Sequence, residues 1–203
     1  TDFFIAVARF TEKKNLDGLI ESYCLLVESE GQSVPDLVIL GDGPLRQLLE
    51  SMIAKRGLGS KIHLLGAVSY ELLPSYYALA KVFIHTSKTE QWGLVVNEAM
   101  AVGLPVIVSD RCGCARDLVL DGENGFSFSP DRPKELTQLL RRCVRMERED
   151  LERLAERGRR IISNWGPDRF ASGVGDAIQK ALEVGPRRLS LVDRILLKFL
   201  AKR

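Results

Sequence analysis

The sequence predicts an α/β fold, a doubly wound parallel sheet of about six strands with a helical C-terminal extension. Three observations lead to this prediction. Short apolar runs of strand length alternate along the chain with longer segments in which apolar residues recur at helical spacing. Glycine or proline marks most of the boundaries between these segments. After residue 133 the strand-like runs stop, and only helical periodicity continues.

The apolar runs of strand length follow one another at regular intervals. They occupy residues 3–8, 36–40, 61–65, 82–85 and 106–108. Phe126 and Phe128 alternate with polar or small neighbours and predict a sixth strand, at an edge of the sheet. Parallel strands need crossover connections, so a helix is expected between successive runs.

The predicted helices are recognised by their apolar faces. These faces lie within residues 16–23, 45–53, 72–79, 94–101, 136–144, 151–162 and 170–182, with a short helix near 116–119. Pro44 is expected at the first position of the second helix, where its missing N–H has no intrahelical partner to lose. Pro186 interrupts the last pattern. We therefore predict a sheet domain at residues 1–183 and an amphipathic basic helix at residues 184–203.

Composition narrows the class of protein. The chain is 45% hydrophobic and 28% charged, as in an ordinary globular domain. Its net charge of +2 lacks the strong basic bias of nucleic-acid binders. No apolar run approaches the roughly 20 residues needed to cross a bilayer, and no signal-peptide pattern is present. We expect a cytoplasmic protein. Because the sequence begins at Thr1 and enters an apolar strand by Phe3, we also expect it to be a segment of a longer protein.

Cysteine and histidine spacing argues against a metal site. The four cysteines lack the paired CxxC spacing of zinc sites, so buried, reduced thiols are expected. His63 and His85 have no cysteine or carboxylate partners at ligand spacing. The sequence therefore predicts no bound metal.

The unit at residues 81–110 contains the strongest candidate site. A strand ends at His85, a polar loop follows, and Gly93 is expected to begin the next helix. Glu90 and Glu98 bracket the loop and the first helical turns. Free N–H groups and the helix dipole there would suit a phosphate, with the two acids accepting hydrogen bonds from hydroxyl groups. From spacing alone, a helix-capping Glu90 and a solvated Glu98 explain the pattern equally well.

A basic turn at residues 9–14 follows the first strand. Arg9 and Lys14 at a strand's carboxyl end are suited to neutralising a diphosphate, although a solvated loop is the simpler interpretation of this turn alone. The segment Gly41-Asp42-Gly43 lacks the third glycine of the dinucleotide fingerprint. We interpret it as a tight strand-to-helix turn.

Four segments together resemble a known family. Residues 8–16 (ARFTEKKNL), 40–44 (LGDGP), 63–66 (HLLG) and 90–100 (EQWGLVVNEAM) occur in family order. Over about residues 3–182 the chain is similar to the donor-binding half of the retaining GT-B glycosyltransferases, the glycosyltransferase 4 family. The resemblance implies a Rossmann-like domain that forms one half of a GT-B fold, with an acceptor-binding N-terminal domain outside this sequence.

The resemblance also assigns roles to individual residues. Arg9 and Lys14 match the pair that binds the donor diphosphate, Glu90 the acid that contacts the transferred sugar, and Glu98 the acid that binds ribose. Backbone near Val68 would contact the base. The implied donor-binding loop is completed by Gln91, Trp92, Gly93, Leu94 and Val95. Two segments depart from the family. It often has Gly-Phe-Gly where this chain has Gln91-Trp92-Gly93, and Gly-Gly-x-Pro-Glu is commoner than the sequence found here at residues 112–117, to which no role is assigned.

The implied function is that of a hexosyltransferase. The domain would bind a nucleotide-diphosphate sugar without metal or other cofactor. Together with the N-terminal domain it would transfer the sugar, with retention of configuration, to a glycan or lipid-linked acceptor in polysaccharide or glycolipid synthesis. The isolated chain is expected to transfer poorly or not at all. Two alternatives remain open: a nucleotide-sugar epimerase of related fold, and a non-catalytic partner subunit.

The last segment, residues 187–203, is amphipathic and basic. On a helix one broad face would carry Leu189, Val192, Ile195, Leu196, Phe199 and Leu200, and the opposite face would carry Arg187, Arg194 and Lys198. Packing of this face on the enzyme is the favoured interpretation. Peripheral contact with the inner face of the membrane is the alternative.

Overall fold

A computed structural model of the protein describes residues 2–185. The amphipathic segment at residues 187–203 lies outside the described residues, so both interpretations of it stay predictions. Within the described part, no helix is long and apolar enough to cross a membrane.

The described strands form one sheet. In chain order they are β1 (Phe3–Val7), β2 (Asp36–Leu40), β3 (Ile62–Gly66), β4 (Val82–His85), β5 (Val106–Ser109) and β6 (Gly125–Phe128). Their spatial order is β3-β2-β1-β4-β5-β6, and every neighbouring pair is parallel. The prediction of a doubly wound parallel sheet with six strands is confirmed. The order reverses between β1 and β4, and this reversal creates a crevice at the carboxyl ends of these two strands.

Helices connect the strands and continue after the sheet. They are α1 (Leu16–Glu30), α2 (Arg46–Lys55), α3 (Leu73–Leu79), α4 (Leu94–Val102), α5 (Ala115–Leu118), α6 (Pro133–Arg145), α7 (Arg148–Ile162) and α8 (Pro167–Val184). A single 3-10 turn at Glu12–Lys14 precedes α1. The sequence-based bounds agree with most of these elements to within one or two residues, the usual uncertainty of element ends.

The strands are buried because helices cover both faces of the sheet. Every residue of β4 and β5 is buried, which explains why these segments read as continuous apolar runs rather than as alternating patterns. The core also contains Leu136 and Leu140 of α6, which packs against α1. All four cysteine thiols are free and buried, as expected.

The start of α2 differs from the prediction. Pro44 does not occupy the first helical position, because α2 begins at Arg46. The N–H of Leu45 donates to the carbonyl of Phe10 at 3.1 Å, which ties this turn to the loop after β1 and delays the helix. Leu72 and Leu79, which the sequence placed on the apolar face of α3, are exposed.

The described chain divides into two compact units after Ser163. The sheet and helices α1 to α7 belong to the first unit, and α8 belongs to the second. The predicted boundary after residue 183 coincides with the end of α8 and stays a prediction.

Removing the Tyr23 hydroxyl should destabilise the first unit. Tyr23 is fully buried, and its hydroxyl donates to the carbonyl of Pro35 at 2.7 Å. The Tyr23→Phe variant leaves this carbonyl without its donor, so we expect the free energy of unfolding to fall by about 1–2 kcal/mol in urea titrations. Tyr70→Phe, in which the changed side chain is 72% exposed, is the control and should change stability by less than about 0.5 kcal/mol. Equal stability of the two variants would contradict this assignment.

Candidate functional site

The loops after β1 and β4 face each other at the crevice. The N–H of Lys88 donates to the carbonyl of Lys13 at 2.8 Å, and the hydroxyl of Thr86 donates to the carbonyl of Lys14, also at 2.8 Å. Two segments that are distant in sequence are therefore fixed against each other. The reason is topological, because β1 and β4 are neighbours in the sheet and both loops leave its carboxyl edge.

An ion pair between Lys14 and Glu90 bridges the two loops. Their side chains are 15% and 17% exposed. Burial alone would raise the pKa of Glu90, but the hydrogen bond and charge of Lys14, with smaller contributions from His85 and Lys13, lower it below its ordinary value. Glu90 is therefore an ionised acceptor at neutral pH. The structure brings together two residues that the sequence assigned to different ligand groups.

His85 lies behind this pair at the end of β4. Its Nε2 atom is 3.3 Å from the hydroxyl oxygen of Ser87 and 3.9 Å from Oε2 of Glu90, and its ring stacks on Phe83. Burial, then the charge of Lys14, lower the pKa of His85 to about 4 against the opposite effect of Glu90. The imidazole is therefore neutral at neutral pH. From the sequence, His85 was weighed only as a possible metal ligand, although its position at a strand's carboxyl end was a usable signal.

The N-terminus of α4 opens onto the same edge of the sheet. Gly93 precedes the helix with φ 103°, a left-handed conformation that favours glycine, as the predicted helix start requires. The N–H groups of Leu94 and Val95 have no intrahelical acceptor, because they lie in the first turn. The indole N–H of Trp92 donates to Oδ1 of Asn97 at 3.0 Å, which fixes the ring beside this turn. Helix start and free donors agree with the sequence-based prediction.

Glu98 lies in the second turn of α4 and has a partner that the sequence did not reveal. The hydroxyl of Tyr77 donates to Oε2 of Glu98 at 3.2 Å. Tyr77 is buried on α3, with its ring at 79° to that of Phe83. The interpretation of Glu98 as a merely solvated acid is therefore wrong, because it is half-buried and hydrogen-bonded. In the sequence, Tyr77 is marked only by its place on a predicted apolar helix face.

The remaining sequence-based site residues lie at the carboxyl edge without joining this network. Arg9 is exposed directly after β1, and its guanidinium forms no hydrogen bond or ion pair with another residue in the described part of the chain. Gln91 is exposed beside Trp92, and Val68 is half-buried in the loop after β3. Their assignment to a ligand stays a prediction.

The turn after β5, for which the sequence predicted no role, holds the Glu90 loop in place by backbone hydrogen bonds. The N–H of Gly113 donates to the carbonyl of Glu90 at 3.0 Å, and the N–H of Cys114 donates to that of Trp92 at 3.1 Å. A side chain at Gly113 would place its Cβ 1.9 Å from the carbonyl oxygen of Gln91, so the approach requires glycine. Burial raises the pKa of the Cys112 and Cys114 thiols to about 12, and both therefore stay protonated.

The groups at this edge are of the kinds that bind anions and hydroxyl groups. The edge offers cations, free N–H donors and two carboxylate acceptors. In the described part of the chain, no group of three histidine, cysteine or acidic side chains is arranged to hold a metal ion. The absence of a metal requirement stays a prediction.

Comparison with known proteins finds a matching family and similar individual proteins. A model of the family described as glycosyl transferases group 1 matches residues 1–161. Alpha-D-kanosaminyltransferase of Streptomyces kanamyceticus is 32% identical over 150 residues, 74% of this chain and 38% of that protein. Alpha-monoglucosyldiacylglycerol synthase of Acholeplasma laidlawii is 36% identical over 131 residues, 63% of this chain and 32% of that protein. The chain thus spans less than half the length of these relatives.

Solved structures support the fold. The Anabaena protein HepE, solved in complex with UDP, superposes with a TM-score of 0.75 at 22% identity, covering 89% of this chain and 49% of that one. The same Anabaena protein was also solved in complex with UDP-glucose. The similarity confirms a Rossmann-like domain corresponding to one half of a GT-B fold.

Replacing Gly113 should displace the Glu90 loop. Because its Cβ would overlap the Gln91 carbonyl, we expect Gly113→Ala to lower the free energy of unfolding by about 1–3 kcal/mol. The amide resonances of Gln91 and Gly93 should shift in nuclear magnetic resonance spectra, since their N–H groups share peptide bonds with the Glu90 and Trp92 carbonyls that bind this turn. Gly59→Ala is the matched control, because no atom lies within 4 Å of its added Cβ. Unchanged resonances and stability in Gly113→Ala would contradict the supporting role of the turn.

Proposed function

This chain belongs to the family of glycosyl transferases group 1, and on that premise we propose that it is the donor-binding part of a retaining glycosyltransferase. The proposal depends mainly on one observation. A lysine, an ionised carboxylate and the free N–H groups of a helix start lie together at the reversal point of a parallel sheet. The ligand proposed for this place is a nucleotide-diphosphate sugar.

The diphosphate would lie between Arg9, Lys14 and the first turn of α4. Arg9 offers a planar guanidinium that is not occupied by another described residue, and Lys14 has three donors, only one of which the pair with Glu90 needs. The N–H groups of Leu94 and Val95 add uncharged donors, and the helix dipole favours an anion there. Together these groups would stabilise the negative charge that develops on a leaving diphosphate.

The two acids would bind the hydroxyl groups at either end of the donor. Glu90 is ionised beside the cation, which suits contact with the transferred sugar next to the diphosphate. Glu98, deeper in α4, would accept hydrogen bonds from ribose, and the backbone near Val68 would contact the base. The indole of Trp92 would border the sugar together with Gln91. The UDP complexes of HepE, which has a similar fold, support a uridine nucleotide as the first probe.

Transfer itself would require the acceptor-binding domain. In this proposal the sugar moves with retention of configuration to a glycan or lipid-linked acceptor at the cytoplasmic side, without a metal ion. The name of the Acholeplasma laidlawii relative, a glycolipid synthase, supports a lipid-linked acceptor as one candidate. The isolated chain would bind donor but transfer poorly. No observation favours an epimerase or a non-catalytic subunit.

Removal of either cation should weaken diphosphate binding selectively. A hydrogen bond to a charged group contributes about 1.5–3 kcal/mol, so Arg9→Ala and Lys14→Ala should each reduce the affinity for UDP, ADP or GDP, whichever binds best, about tenfold or more. Affinity for the corresponding nucleoside should change little. Isothermal titration calorimetry measures both.

Lys13→Ala is the matched control for this experiment. Lys13 is an exposed cation in the same turn, so its removal changes the net charge equally without removing the proposed contact. It should reduce affinity less than about threefold, as expected for a screened charge. Unchanged diphosphate affinity in both Arg9→Ala and Lys14→Ala, or no binding of any of the three diphosphates by the parent chain, would overturn the proposal.

The two acids should respond differently to loss of charge. Glu98→Gln should weaken every ribonucleotide, with or without a sugar, because its proposed partner is ribose. Glu90→Gln should leave nucleoside diphosphate affinity unchanged or higher, since Lys14 loses a competing anion, while the sugar-bearing donor binds more weakly. Calorimetry with UDP and UDP-glucose separates the two, and Glu12→Gln, which changes an exposed acid in the turn that carries Lys14, is the control. Equal loss of plain nucleoside diphosphate in both variants would show that Glu90 does not contact the sugar.

A further inference from the structure

We propose that Tyr77 is a positioning residue that orients the Glu98 carboxylate for the ribose hydroxyls of the donor. The inference rests on the proposed function, because it takes Glu98 as the ribose acceptor. Tyr77 lies on α3, outside the motif of residues 90–100 that carries the family resemblance. The juxtaposition behind it is the hydrogen bond from the Tyr77 hydroxyl to Oε2 of Glu98 at 3.2 Å.

Tyr77 is itself rigidly held. Its side chain is 1% exposed, and its ring packs edge-on against Phe83 of β4, with 5.7 Å between ring centroids. A phenol carries its donor on a planar ring with few rotatable bonds, so fixing the ring also fixes the hydroxyl oxygen. Burial, followed by the charge of Glu98, raises the pKa of this phenol, and the hydroxyl therefore remains a donor at every pH at which the protein would be assayed.

The hydrogen bond restricts a side chain that is otherwise mobile. A glutamate has three side-chain torsions, and a half-buried one on a helix can take several rotamers. Contact with two adjacent ribose hydroxyls requires one of these rotamers, so a donor that selects it removes part of the entropy lost on binding. An ionised carboxylate has about four acceptor positions, and Tyr77 occupies one of them. The others remain for the ligand.

The two acids of the site differ in the charge of the group that holds them. Glu90 is held by Lys14, a cation that a diphosphate would also attract, so that pair is expected to rearrange when ligand binds. Glu98 is held by an uncharged hydroxyl, which has no comparable attraction to a phosphate. The ribose-binding acid would therefore keep its orientation while the sugar-binding acid changes partners.

The test compares a ribonucleotide with an analogue that lacks the ribose hydroxyls. Tyr77→Phe retains the buried ring and removes only the hydroxyl. We expect its affinity for the best-bound of UDP, ADP and GDP to fall three- to tenfold. Affinity for the 2′,3′-dideoxy analogue of the same nucleotide should stay within twofold of the parent chain, because that analogue has no hydroxyl for Glu98 to bind.

Two further variants make the result specific. Tyr76→Phe, the neighbouring residue on α3, removes a hydroxyl from the same helix, about 100° around its axis, and should change neither affinity. Glu98→Ala should weaken the ribonucleotide and not the dideoxy analogue, and adding Tyr77→Phe to it should have no further effect on either ligand. A double-mutant cycle of this kind shows whether the hydroxyl acts through the acid.

Some outcomes would contradict only the role of Tyr77, whereas one outcome would also contradict the role of Glu98. An equal loss for both nucleotides in Tyr77→Phe would mean that the hydroxyl supports the fold only, and no loss for either would mean that Glu98 needs no orientation; both results overturn the inference while leaving the donor site intact. If Glu98→Ala fails to distinguish the two nucleotides, Glu98 does not bind ribose, and the proposed function of this acid falls together with the inference.

Discussion

The ion pair between Lys14 and Glu90 is the interaction on which the candidate site depends. Its partners are 76 residues apart in sequence, yet both side chains are largely shielded from solvent. Two charges in such a place stabilise the protein only when each satisfies the other, because either one alone would remain poorly solvated. The pair therefore links the loops after β1 and β4 and holds both in one arrangement, with backbone hydrogen bonds from Lys88 and Thr86 contributing alongside it.

The parallel sheet explains why these loops meet. The strand order reverses between β1 and β4, so their connections leave in opposite directions and a crevice opens between them. The turn after β5 closes the crevice from behind, where Gly113 approaches the Gln91 carbonyl too closely for any side chain. The loops after the adjacent strands β1, β4 and β5 are therefore packed against one another. A ligand at this edge would meet a preformed surface, which reduces the ordering that binding requires.

The two acids of the site are held by different means, and this difference is physically meaningful. A cation fixes Glu90 and keeps its pKa low, whereas a buried neutral phenol fixes Glu98. Neutral His85 fills the space behind Glu90 without adding charge, because burial keeps its pKa near 4. One acid of the site is thus held by a charged contact and the other by an uncharged contact. Such a division suits a ligand with a strongly charged centre and polar, uncharged ends.

Sequence alone determined the strands, the approximate bounds of half of the described helices, the helix start at Gly93 and the positions of Arg9, Lys14, Glu90 and Glu98 at strand or helix ends. These features follow from local apolar periodicity and from glycine and proline, which act over a few residues. Tertiary structure alone decided which of them touch. The predicted start of α2 was wrong because the N–H of Leu45 donates to the carbonyl of Phe10 in the loop after β1. The contacts of Tyr77 and of the turn at Gly113 were missed because their partners are distant in sequence. Their contacts arise from strand order and from helices packed on the sheet, and local periodicity carries no information about either.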